Sequence, residues 1–65
     1  MLINTTKIKI IMAQESMTLS QLALQSGITR QNISTILSRG SCTPLSVGKI
    51  ARGLGVPVEE IILEE

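Results

Sequence analysis

Several residue types are missing from this chain of 65 residues, which has no aromatic side chain, no histidine, no aspartate and only one cysteine. Without aromatic rings the core must be built from Ile, Leu, Val and Met, which suits small packed helices. Most proteins that bind single-stranded DNA or RNA stack bases on aromatic rings, so that class is disfavoured. The few reactive groups cannot supply a nucleophile, an acid or a base together with an orienting partner. We therefore predict no catalytic residues and no enzymatic activity.

The single cysteine excludes an internal disulfide, and without histidine or a second cysteine no zinc site is plausible. We expect no metal, no cofactor, no small-molecule ligand and a reducing cytoplasm. No pattern of flanking charge marks a lowered thiol pKa for Cys42, which favours a small loop residue over a redox sensor. Lys7 and Lys9 lie inside the first apolar run, so we predict neither a signal peptide nor a membrane span.

The formal net charge is only +1, but its distribution is uneven. Residues 1–53 hold all six basic side chains against Glu15 alone, whereas four glutamates lie in the remaining twelve residues. No acidic residue occurs between Glu15 and Glu59, so nothing in that stretch would repel a phosphate backbone. Glu59 and Glu60 have two interpretations: they favour the first turn of a last helix, or they keep this end away from DNA.

The central segment, residues 18–39 (TLSQLALQSGITRQNISTILSR), reads as two short helices joined by a tight turn. Thr18 is a good N-cap, and Gly27 stands where a helix needs a left-handed C-terminal residue. Thr29 can cap a second helix over residues 30–38, because the apolar residues that follow it recur at helical spacing. Two short helices at a steep angle around a tight turn form the helix-turn-helix unit, whose second helix can lie in the DNA major groove.

The polar face of the second helix carries side chains that could contact DNA bases and phosphates. Arg, Gln and Asn carry paired donors and acceptors that match the edges of guanine and adenine, and short hydroxyl side chains fit close to bases or phosphates. We predict that bases are contacted by Arg30, Gln31, Asn32 and Thr35. We predict that phosphates are contacted by Thr18, Ser20, Thr29, Ser34, Ser38, Arg39 and Ser41.

The two flanks of this unit also show helical patterns. A first helix capped by Asn4, Thr5 or Thr6 is predicted to reach about Glu15, and Leu2-Ile3 before it could form a short strand that pairs with a second subunit. Thr43-Pro44 predicts a fourth helix to about residue 54, although its Gly48 and Gly53 each cost about 1 kcal/mol relative to alanine. Residues 58–63 are predicted to form a short last helix. The expected fold is therefore a single all-α domain of five helices.

The chain resembles the lambda-repressor-like (Cro/cI, Xre) family of bacterial and phage regulators. The resemblance covers nearly the whole chain and includes the closing segment KIARGLGVPVEEII, residues 49–62. Its most specific matches are Leu22-Ala23, Gly27, Ile33 and Gly55-Val56. At the first position of the supporting helix, where many members have a glutamine that contacts phosphate, this chain has Leu19.

The residues and the resemblance together predict a transcriptional regulator that binds double-stranded DNA sequence-specifically. We expect it to be a repressor that places the helix 30–38 in the major groove. One short helix reads only a few base pairs, so we expect a homodimer on an inverted-repeat operator. Ile61, Ile62 and Leu63 are its predicted contact residues. A protein-interaction module, such as an antirepressor or an antitoxin-like partner, is the alternative, and an excisionase that bends DNA is a variant of the first interpretation.

Overall fold

The computed structural model describes residues 1–63 and shows four α-helices followed by one 3₁₀ turn. The helices are α1 (Thr5–Gln14), α2 (Leu19–Ser26), α3 (Arg30–Arg39) and α4 (Pro44–Leu54), and the 3₁₀ turn is Val58–Glu60. The all-α prediction is confirmed, and α2 to α4 begin and end within one residue of their predicted bounds. No helix among residues 1–63 is both long enough and apolar enough to cross a membrane.

Each α-helix begins at a polar residue whose side chain accepts a backbone hydrogen bond. Asn4 Oδ1 accepts from Lys7 N at 3.0 Å, and Thr43 Oγ1 accepts from Ser46 N at 3.2 Å. Thr18 forms a complete capping box, since its Oγ1 accepts from Gln21 N and its own N–H donates to Gln21 Oε1. These bonds satisfy N–H groups that a helix leaves without partners, which explains why the starts were readable from sequence.

The core is aliphatic and draws on every helix. Its largest fully buried side chains are Ile8, Leu22, Ile33, Val47, Ile50 and Ile61. Helix α2 lies at the centre, packed against both α3 and α4. Helix α4 packs on α2 and so supports the helix-turn-helix. The polar side of α3 is exposed to solvent.

The predicted fifth helix over residues 58–63 is wrong, because only one 3₁₀ turn forms there. After that turn the backbone pairs with the N-terminal segment: Asn4 N donates to Ile61 O at 2.8 Å, and Leu63 N donates to Leu2 O at 3.1 Å. A six-residue helix would gain too few hydrogen bonds to offset nucleation, whereas this pairing uses those groups and buries Ile61 completely. Ile61 is therefore unavailable to a second subunit, which corrects its place among the dimer contacts.

The N-terminal segment joins both ends of the fold. Ile3 N donates to Gly40 O and Cys42 N to Met1 O, both at 3.0 Å, so residues 1–3 run between the loop after α3 and residues 61–63. Isolated antiparallel bridges pair Leu2 with Ser41 and Ile3 with Ile62. The extended interpretation of Leu2-Ile3 thus holds, but within residues 1–63 the pairing partners belong to the same chain.

Candidate nucleic-acid interface

The turn between α2 and α3 is held by a buried serine. Gly27 has φ +74°, a left-handed conformation in which glycine carries no steric penalty. Ser26 is buried, and its Oγ donates to Ala23 O at 3.3 Å while it accepts from Ile28 N at 3.3 Å. Thr29 Oγ1 then accepts from Asn32 N at 3.2 Å, which starts α3. Local hydrogen bonds therefore hold the turn that joins α2 to α3.

Helix α3 turns its isoleucines inward and its polar residues to solvent. Ile33 is completely buried, and Ile36 and Leu37 pack against the core. All the predicted base-contacting residues are exposed: Arg30, Gln31, Asn32 and Thr35. Of the predicted phosphate contacts, six are exposed and Ser41 is half-buried in the paired loop.

An open groove of about 450 Å³ runs along the start of α3 and is lined by Leu19, Arg30, Gln31, Ser34 and Thr35. It brings together three predicted base contacts and Ser34, a predicted phosphate contact. Asn32 lies about 100° around the helix from Gln31, toward the edge of the polar face. Leu19 was not predicted to belong to this surface. Its spacing in α2 indicates only an apolar residue, and the groove forms only when α2 packs on α3.

The threonine hydroxyls differ in what they can still offer a ligand. Thr35 Oγ1 donates to Gln31 O at 3.0 Å, so its hydrogen is used within the helix and its methyl group and oxygen lone pair remain. Thr18 and Thr29 instead accept backbone N–H groups, which leaves their O–H hydrogens able to donate to a phosphate oxygen. The caps of both helices can therefore stabilise the fold and contact a phosphate at once.

Within residues 1–63, neither Arg30 nor Arg39 of α3 forms an ion pair. Among residues 1–63 the ion pair found is Lys7 Nζ to Glu60 Oε2 at 3.5 Å, which links α1 to the 3₁₀ turn and involves two half-exposed side chains. Arg30 and Arg39 lie at the two ends of α3, nine residues apart in sequence, with no acidic residue between them. Both side chains are exposed.

Cys42 lies half-buried in the loop between α3 and α4. Burial raises the pKa of its thiol, and the nearby Met1 ammonium group opposes that shift more weakly. A raised pKa makes the thiolate rarer at neutral pH, which is the opposite of what a reactive cysteine needs. Within the described part of the chain, no group of three or more His, Cys, Asp or Glu side chains is placed to hold a metal ion.

The sequence was compared with models of known protein families, with curated proteins and with solved structures. The family model for the Cro/C1-type helix-turn-helix DNA-binding domain matches residues 7–63, which include the whole of α2, α3 and α4. No curated protein and no solved structure gives a match. The chain therefore belongs to the family of Cro/C1-type helix-turn-helix DNA-binding domains, whose members regulate transcription through double-stranded DNA.

Proposed function

We propose that this protein is a sequence-specific transcriptional repressor that places α3 in the major groove of its operator. The observation that carries the proposal is the face of α3: seven exposed polar residues, none of them acidic, on a helix whose apolar side is locked into the core. A DNA-binding domain bound across a promoter blocks polymerase by occupancy.

The two ends of α3 have different roles in this proposal. Arg30 and Gln31 belong to the first turn, the end that enters the groove, where a guanidinium fork matches guanine O6 and N7 and an amide matches adenine N6 and N7. Asn32 and Thr35 add base contacts on either side. Arg39 lies at the far end, where it meets phosphates as they pass the loop at Gly40.

The remaining phosphate contacts come from hydroxyl groups around the groove. Thr18 and Thr29 stand at the N-termini of α2 and α3, where unpaired backbone N–H groups and the helix dipole also favour an anion. The other hydroxyl contacts are assigned to Ser20, Ser34, Ser38 and Ser41. Such contacts position the protein on the duplex and do not select sequence.

We infer that the protein binds as a homodimer through the outward face of its N- and C-terminal segments. Leu2 and Leu63 lie opposite each other in the antiparallel pairing, so their side chains share one face, and they are 37% and 49% exposed. A second copy related by a two-fold axis would cover both leucines. Two recognition helices about one DNA turn apart then require an inverted-repeat operator.

Selection of duplexes from a randomised library tests this function directly. We expect enrichment of an inverted repeat, and a reporter promoter that overlaps the site should be silenced when the protein is present. A matched control is a variant with Gln31→Ala and Thr35→Ala, which keeps the fold but should lose enrichment. If no duplex is enriched and mixed-sequence DNA is not shifted at low salt, the DNA-binding function is wrong and the interaction-module alternative takes its place.

A further inference from the structure

Leu19 occupies an unusual place for an apolar side chain. It is the first residue of α2, directly after the Thr18 cap, and one side of it packs against the core. Its remaining surface lines the groove beside Arg30 and Gln31 of α3. Leu19 of α2 therefore lies beside the α3 side chains that are proposed to contact bases.

A second apolar group faces the same groove. Thr35 also lines it, and the Thr35 hydroxyl is turned to Gln31 O at 3.0 Å, so this side chain offers its methyl group in addition to an oxygen lone pair. The groove therefore combines a leucine side chain and a threonine methyl with the polar ends of Arg30, Gln31 and Ser34. An apolar group of a ligand would be favoured beside the leucine side chain and the threonine methyl, because contact there removes apolar surface from water.

The C5-methyl of thymine is the only methyl group in the major groove of DNA; cytosine carries a hydrogen atom at that position, and the hydrogen-bonding groups of the base edges are donors or acceptors. Leucine set against a donor or acceptor would leave that group without its water and without a replacement partner, which is unfavourable. Leucine set against the thymine methyl removes apolar surface from water on both sides. The groove therefore favours a T·A base pair over A·T, G·C and C·G base pairs at the position that it contacts.

We propose that Leu19, together with the methyl group of Thr35, reads the C5-methyl of a thymine in each half-site. This inference rests on the proposed function and adds a specificity-determining residue on α2 to those on α3. It assigns Leu19 a role in base selection and none in phosphate binding.

The experiment uses the duplex selected for the wild-type chain and replaces each thymine in turn by deoxyuridine, which removes only the methyl group. We expect one symmetric position at which the replacement weakens binding about fourfold per half-site, the factor that corresponds to one buried methyl group. With Leu19→Ala the ratio between the affinities for the thymine and deoxyuridine duplexes should fall toward one, since only the methyl group of Thr35 then remains beside the thymine methyl. Because each ratio is measured with one protein preparation, a change in folded fraction cancels.

Leu24→Ala is the matched control, since Leu24 lies on the same helix, is 84% exposed and is not among the groove residues. It should retain the fourfold ratio. A selected site without thymine, a site insensitive to every deoxyuridine, or a ratio that survives Leu19→Ala would each overturn the inference while DNA binding stands. Failure to select any duplex would instead contradict the proposed function itself.

Discussion

Gly53 of α4 lies directly against Ser26 of α2, and a methyl group added at Gly53 would come within 3.1 Å of both Cβ and N of Ser26. Leu22 Cδ1 would lie 3.2 Å away. These distances are shorter than ordinary van der Waals contacts, so an added methyl group would require the two helices to move apart by a few tenths of an ångström. Since Ser26 also holds the turn of the helix-turn-helix, this contact ties α4 to the start of α3.

Gly53→Ala should therefore destabilise the protein by about 1–2 kcal/mol, although alanine is the better helix former. Gly48→Ala is the matched control, because Gly48 lies in the same helix and an added methyl group there meets nothing within 4 Å. That substitution should stabilise the protein by up to about 1 kcal/mol. Urea denaturation followed by circular dichroism measures both changes. Equal effects of the two substitutions would show that the α2–α4 contact is not tight.

Arg30→Ala should reduce affinity for the preferred site by about 1–3 kcal/mol and relax the choice at one base pair. Arg39→Ala should weaken all sequences alike and lower the salt dependence, because it removes a phosphate contact. The measurement is a salt titration of each variant on a preferred and a scrambled duplex. Equal losses on both duplexes with Arg30→Ala, without a change in base preference, would contradict its assignment as a reading residue.

Leu63→Ser should weaken self-association at least tenfold if two copies meet across the Leu2 and Leu63 surface, since each copy loses a buried leucine. The fold should tolerate the change because Leu63 is already 49% exposed. Leu24→Ser, which alters a more exposed leucine on α2, serves as the control. Sedimentation of the three proteins with and without the selected duplex distinguishes them. An unchanged dimerisation constant for Leu63→Ser would place the interface elsewhere.

Cys42 should make the folded state less stable at alkaline pH. Burial raises the pKa of its thiol above that of the unfolded chain, so the unfolded state releases its proton first as pH rises. The contribution of the buried thiol is fully present below about pH 8.5 and is lost as the pH rises through the folded-state pKa. Urea denaturation of the wild-type protein and of Cys42→Ala between about pH 7 and 10.5 measures how the free energy of unfolding changes with pH. The variant should lose less stability over that range, and identical pH profiles would exclude the effect.

The sequence alone determined the local features of the helix-turn-helix. The predicted caps Thr18, Thr29 and Thr43 and the left-handed glycine at Gly27 all hold, as do the bounds of α2 and α4 to the residue. Each of these signals acts through hydrogen bonds or backbone preference within about four residues, and no long-range backbone pairing competes with them in α2, α3 or α4. The exposure of the α3 polar face follows from the 3.6-residue period in the same way.

Only the tertiary structure decided the end of the chain and the shape of the reading surface. Residues 61–63 pair with residues 2–4, some sixty positions away in sequence, and this long-range pairing replaced the helix predicted there. Leu19 acquired its place in the groove, and Gly53 its contact with Ser26, because α2 packs between α3 and α4. Such contacts depend on how separate elements meet in space, and the spacing of residues along the chain does not encode the distance between two helices.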